Sequence, residues 1–359
     1  MSLQAQKPAR VAYADLIRLI AILMVVLIHT ASPLFNALPV NSNGFVCSVL
    51  LDGIAHAGVP LFVMVSGIFL LDEKREMSVR RAIGHYALPL VGLYFFWSIL
   101  YAVANKVAIP LLFEDAAISV NMAREFGVAV LEGAYHMWYL PMMAGLYLIT
   151  PLLRTFVRQD SRHLVRWFLV LVFVLRFVLP TGVRLVAEFT GLDFSAAYDS
   201  FELLAGWEYP AYYVAGWYMA NTRPATRTRR AVYVAGALAL VALITLTWWV
   251  SVRQGEAVKE LMEQKSLFCC VYAVALFALI AWEGQSLKSS TLLTQLSALS
   301  FGVYIVHVEI QQLYKLFVPY TSGNALVYIL IQWLAVTAVS FAAAWVLSKI
   351  PLLKRSVRA

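Results

Sequence analysis

Long apolar runs constrain this chain more than any other feature. Ten can be counted, at about 12–32, 46–71, 83–104, 136–153, 164–183, 208–221, 231–252, 266–282, 294–318 and 325–348. A hydrocarbon core about 30 Å thick is crossed by about 20 apolar residues in a helix. Inside it every backbone polar group must be bonded internally, so such runs fold as helices rather than as an open sheet. Only 13% of the residues are charged and 62% are hydrophobic, which is about half the charge of a soluble domain. The pattern predicts an all-α, polytopic membrane protein with about ten transmembrane helices. The sixth run is the weakest, being short and interrupted by Pro210 and Gly216.

Basic residues orient these helices. With the N-terminus in the cytoplasm, nineteen of the 28 Lys and Arg residues fall at inner ends and loops, among them Lys7, Arg10, Arg80, Arg81, Arg154, Arg355 and Arg358. Six fall outside, and Arg18, Arg176 and Lys315 lie within spans. This asymmetry predicts an N-in, C-in topology. The outer loops are acidic, with Glu114, Asp115, Glu125 and Glu132 in 105–135 and Glu188, Asp193, Asp199 and Glu202 in 184–207. The net charge of +8 therefore reports cytoplasmic loops and not a nucleic-acid partner. A single transmembrane domain is expected over 1–359, with cytoplasmic termini at 1–11 and 350–359 and no cleavable leader. Cys47, Cys269 and Cys270 have no metal or redox spacing, and the adjacent pair reads as small core residues.

The first run carries Asp15, Arg18 and His29, and ionisable groups at membrane depth are functional candidates by default. Eleven helical steps return to within about 20° of the same face, so Arg18 and His29 share one side of a helix, roughly 16 Å apart along it. Asp15 lies about 60° from Arg18. One face thus offers a cation toward the cytoplasm and an imidazole in the outer half.

Polar residues recur in the other spans. The second places Asp52 and His56 in its outer part and Ser66 deep, with Gly53, Gly58 and Gly67 suited to close helix packing. The fourth opens on Tyr135, His136, Trp138 and Tyr139, an aromatic mouth at the outer surface. The ninth holds His307, Glu309, Gln311 and Gln312, and Arg176 of the fifth reads as an inter-helix hydrogen-bonding residue. Arg18, Arg80, Arg81 and Arg154 could meet an anionic head from inside, because the guanidinium fork binds phosphate oxygens in pairs. This layout fits acyl transfer from a cytoplasmic, phosphate-bearing donor to an acceptor outside. Neither a phosphate-binding Gly-rich loop nor H-E-x-x-H occurs, so no metal or resident cofactor is expected. A transporter of a small metabolite is the alternative, although related halves with interrupted helices are not evident.

At these residues the chain resembles the acyltransferase-3 family of integral-membrane O-acyltransferases. Arg18 and His29 within DLIRLIAILMVVLIH match its Arg, ten residues, His signature. GVPLFVMVSG from Gly58 to Gly67 is similar to its second-helix motif, HMWYLPMMAGLYLITPLL to its fourth-helix motif, and SFGVYIVH, ending at His307, to its ninth. The chain looks most like the stand-alone branch that includes the enterobacterial common antigen O-acetyltransferase. One departure is that many members carry R-x-x-R after the second helix, where this chain has adjacent Arg80 and Arg81.

The resemblance implies acetyl-CoA as co-substrate, Arg18 and His29 as the essential pair, and a surface polysaccharide or lipid-linked saccharide as acceptor, in a bacterial inner membrane. His29 is then the expected general base and Arg18 a donor-orienting residue. Arg80, Arg81, Arg154 and Ser66 are further expected donor contacts. His136, Trp138, Tyr139, His56 and Glu309 are expected on the acceptor side.

Overall fold

The computed structural model describes residues 11–108, 111, 120–192, 206–351 and 353–357. Lys7, Arg10, Glu114, Asp115, Asp193, Asp199, Glu202 and Arg358, read above as loop charges, lie outside the described residues, as does the side chain of Arg355. The fold is all-α. In chain order the helices are α1 (Ala12–Ala37), α2 (Asn43–Ala55), α3 (Gly58–Leu70), α4 (Leu88–Ala102), α5 (Val120–Glu132), α6 (Tyr139–Leu153) and α7 (Arg162–Phe173). They continue with α8 (Leu179–Thr190), α9 (Glu208–Ala220), α10 (Thr226–Gln254), α11 (Leu267–Glu283), α12 (Thr291–Phe317) and α13 (Ala325–Leu347).

All ten apolar runs are helical. Eight helical stretches among the described residues are long and apolar enough to cross a membrane: 12–37, 43–70, 79–108, 162–190, 226–254, 267–286, 291–317 and 325–347. The other two runs form α6 and α9, of 15 and 13 residues. The chain is a polytopic membrane protein.

Helix starts follow local chemistry. Ser42, Ser266, Ser290 and Asn324 each accept from the amide three residues on, satisfying a donor that the first helical turn leaves open. Gly191 and Gly255 end α8 and α10 with positive φ of 74° and 79°, a conformation in which glycine has no Cβ penalty. Two spans change pitch along their length. π-helical turns at Ala82–Ala87 and Val103–Ala108 flank α4, and another at Val174–Val178 joins α7 to α8.

The chain forms two compact units, one of residues 1–69 with 165–359 and one of residues 70–164. In the first, α1 is central and packs on α2, α11, α12 and α13. Leu27, Ala31, Leu34, Leu51, Ala55, Ala325 and Ile329 interlock where α1, α2 and α13 meet. Lipid tails are as apolar as these side chains, so close fit and inter-helix hydrogen bonds hold such helices together. The tightest fit is reciprocal. A Cβ on Gly67 of α3 would lie 1.9 Å from the Tyr213 carbonyl oxygen of α9, and one on Gly216 would lie 2.0 Å from that of Met64. Gly67 and Gly216 are therefore packing glycines. In the second unit α4 packs on α5 and α6, and the π-helical turn Ala82–Ala87 packs on α6.

The second apolar run is not one helix, because a turn at residues 56–57 separates α2 from α3. Pro60 lacks the N–H that would bond the His56 carbonyl four residues back. The Cys269 thiol of α11 occupies that carbonyl at 3.7 Å, and the Tyr272 hydroxyl donates to the Ile54 carbonyl at 3.1 Å. Cys269 is buried as its sequence context predicts, and it also serves a main-chain acceptor.

Candidate active site

His29 and His307 face each other in the first unit, their ring centroids 5.0 Å apart and their planes at 43°. Sequence places His29 in α1 and His307 in α12, and the packing of these two helices joins them. The same α1 turn holds Pro33, which has no N–H for the His29 carbonyl. The Gln311 side chain of α12 donates its amide N–H to that oxygen. His307 and Gln311 are four residues apart and so lie on one face of α12. One helix face thus grips His29 by both its ring and its backbone.

The His307 ring is oriented by its own helix. Its Nδ1 lies 2.7 Å from the Tyr304 carbonyl oxygen and 3.2 Å from that of Val303. A ring nitrogen between two carbonyl oxygens carries the proton, which leaves Nε2 as the lone-pair nitrogen of the neutral ring. His307 is fully buried and His29 is half-buried. Three residues after His29, the Ser32 hydroxyl donates to Asp52 of α2 at 2.8 Å, which ties the end of α1 to a third helix.

At the other end of α1, Arg18 donates to Asp15 at 3.3 Å, and its guanidinium lies 4.9 Å from the Phe69 ring centroid. Asp15 is buried and also accepts from Ser297 of α12 at 2.8 Å. Arg18 is thus ion-paired, stacked on an aromatic face and fixed in direction. α1 runs unbroken from Arg18 to His29, so their rise of roughly 16 Å on one face holds.

The remaining sequence candidates fall into separate surroundings. His56 is buried, with Nδ1 2.7 Å from the Asp52 carbonyl oxygen and 3.5 Å from its Oδ1. The Ser66 hydroxyl donates to the Phe62 carbonyl at 3.1 Å within α3. Glu309 is half-buried on α12; Gln311 is buried and its neighbour Gln312 is exposed.

In the second unit, Arg80 and Arg81 are exposed at the start of the 79–108 span, with Arg81 3.9 Å from Glu76. Arg154 donates to the Glu73 carbonyl at 3.3 Å. His136 is buried in the 3-10 turn Tyr135–Trp138, edge-on to Tyr101 at 5.4 Å and to Tyr135 at 5.7 Å. Trp138 is exposed beside Tyr139, their rings 6.5 Å apart.

Sequence reasoning missed three partners. Arg176, for which no partner was evident, pairs with Glu208 at the start of α9, Nε to Oε2 3.6 Å. The signal was an acid opening an apolar run. Gln311 stood out as a polar residue in an apolar run and Ser297 did not, and the group that each meets on α1 comes from the packing of α12 against it. Among the described residues, no three His, Cys, Asp or Glu side chains gather as a metal site would need.

Residues 11–349 match the sequence model of the acyltransferase-3 family, described as an acyltransferase domain. No curated protein matches the chain, and no solved structure does.

Proposed function

We propose a specific reaction for a chain that belongs to the acyltransferase-3 family of membrane proteins: transfer of an acetyl group from cytoplasmic acetyl-CoA to a hydroxyl of a surface polysaccharide or lipid-linked saccharide. The observation that carries this reading is His29 itself. It is a half-buried imidazole held by the His307 ring and by Gln311, on the helix face that also presents Arg18.

In this reaction the acceptor hydroxyl attacks the thioester carbonyl while His29 takes its proton, a role that requires the neutral imidazole. The tetrahedral intermediate collapses with cleavage of the C–S bond. The CoA sulfur leaves and the His29 imidazolium returns the proton to it, so donor and acceptor exchange one acetyl group for one proton. His307 packs the base in place. Arg18, aimed by Asp15 and Phe69, orients the donor arm.

Arg80, Arg81 and Arg154 are assigned to the phosphates of the nucleotide. Ser66 has a weaker claim on the donor, because its hydroxyl is already used within α3. His136, Trp138 and Tyr139 are assigned to the saccharide, since aromatic faces suit sugar rings, with His56 and Glu309 as further acceptor-side groups. The setting is a bacterial inner membrane and the stand-alone branch of the family.

The test is one sample measured twice. Purified His29→Ala protein, given labelled acetyl-CoA and candidate glycans, should lose transfer and still bind acetyl-CoA. Near-normal turnover in that variant would remove His29 from the chemistry.

A further inference from the structure

An apolar groove of about 320 Å³ opens in the first unit, away from His29 and Arg18, among α7, α9, α10 and α11. Phe177, Tyr212, Ala215 and Cys270 form its buried floor, and Val170 and Ala235 are exposed at its rim. Phe177 reaches it from the π-helical turn Val174–Val178, a local widening of the kind often found at functional sites. A dry cavity half this size takes up benzene from water. In a bilayer this one faces alkyl chains.

The helix directions give the groove a depth. Val170 and Ala235 lie roughly 12–14 Å along α7 and α10 from their cytoplasmic ends, where charge asymmetry puts the basic loops. The groove therefore opens in the inner-leaflet half and reaches Phe177, near the middle of the 162–190 stretch. At its foot stand Arg166, one turn before Val170 on α7, Arg223, four residues after the groove-lining Met219 of α9, and Arg227 in the first turn of α10. All three are exposed, and none is in an ion pair among the described residues. Arg229 differs in this respect: its Nη1 meets both Glu283 oxygens, at 2.9 and 3.1 Å.

An apolar slot over uncompensated guanidinium groups matches one ligand chemistry, an alkyl tail with an anionic head. We propose that this groove holds one acyl chain of an anionic phospholipid of the cytoplasmic leaflet, with its phosphate among Arg166, Arg223 and Arg227. A zwitterionic lipid would fill the slot equally well but gain little from the arginines. Basic residues near a membrane surface favour anionic lipid by roughly fivefold each.

Protein isolated from a membrane containing both phosphatidylglycerol and phosphatidylethanolamine, and analysed by native mass spectrometry, should retain about one phosphatidylglycerol per chain. Ala235→Trp, which fills the rim, should lose it, whereas Val339→Trp on the exposed face of α13 should keep it. Replacing Arg166, Arg223 and Arg227 by Gln should leave a lipid bound but abolish the preference for phosphatidylglycerol. Wild-type protein exposed to phosphatidylglycerol bearing a photoreactive acyl chain should be labelled in 169–177 and 211–219, a measurement independent of whether Ala235→Trp folds. No retained lipid, equal retention of both headgroups, an isoprenoid phosphate in place of the phospholipid, or labelling elsewhere would overturn the proposal.

Discussion

Gln311 of α12 donates its side-chain amide to the main-chain carbonyl of His29, the acceptor that Pro33 leaves without a donor in its own helix. The same arrangement recurs at His56, where Pro60 opens the carbonyl and Cys269 fills it. In both places a proline four residues after a histidine turns a main-chain acceptor into an inter-helix contact. The position of the imidazole is thereby tied to a second helix and not only to its own.

We predict that Gln311→Leu destabilises the protein by about 1–3 kcal/mol, the cost of a buried acceptor left unbonded. Turnover should fall by as much as about 10²-fold, because a shift of about 1 Å in a catalytic group has that effect. Pro33→Ala restores the helix N–H, so Gln311→Leu should cost less in that background. A double-mutant cycle in thermal unfolding and in turnover measures the coupling; additive effects would detach Gln311 from the Pro33 gap.

Replacing Arg80 and Arg81 together by Ala should raise the donor KM more than it lowers kcat, the signature of lost uniform binding. Steady-state kinetics with acetyl-CoA as the varied substrate decides this. An unchanged KM would leave the pair as a topology signal only.

Gly67→Ala and Gly216→Ala should each cost about 1–3 kcal/mol or more, because the added methyl meets carbonyl groups that cannot step aside. Gly92→Ala provides the control. A Cβ there meets nothing within 4 Å, and the change should be neutral or stabilising by about 0.5–1 kcal/mol, as expected for a glycine inside a helix. The folded yield and unfolding temperature of the three variants test the packing directly.

Arg176→Gln and Glu208→Gln should each be strongly destabilising, by about 3–5 kcal/mol, because each strands a largely buried charge. Arg176→Met combined with Glu208→Leu should recover most of the loss. If the double variant is as damaged as either single one, the pair has a role beyond mutual neutralisation. Thermal unfolding in nanodiscs discriminates the two outcomes.

What could be read in advance was whatever depends on neighbours along the chain. The apolar runs and the shared face of Arg18 and His29 follow from helix periodicity. The split at His56 was also local, since Pro60 stands in plain view, but the apolar run around it concealed the break. The pairing of His29 with His307, of Arg176 with Glu208 and of Asp15 with Ser297 depends on which helices touch and in what register. No period in a single sequence encodes that. Gly67 shows the boundary clearly: its residue type suggested close packing, and only the fold supplied Tyr213 as the group it packs against.

The Asp15–Arg18 pair also has an electrical consequence. A lone arginine at membrane depth would be pulled by the transmembrane potential, at about 2.3 kcal/mol per elementary charge per 100 mV for a full crossing. Asp15 lies three residues away, about 4.5 Å along the axis. The field therefore meets a short dipole spanning about a seventh of a 30 Å core, and the net force on α1 nearly cancels. Ser297 holds the negative end of that dipole to α12. The helix carrying His29 thus has almost no gating charge, and the imidazole keeps its depth whether the membrane is energised or not.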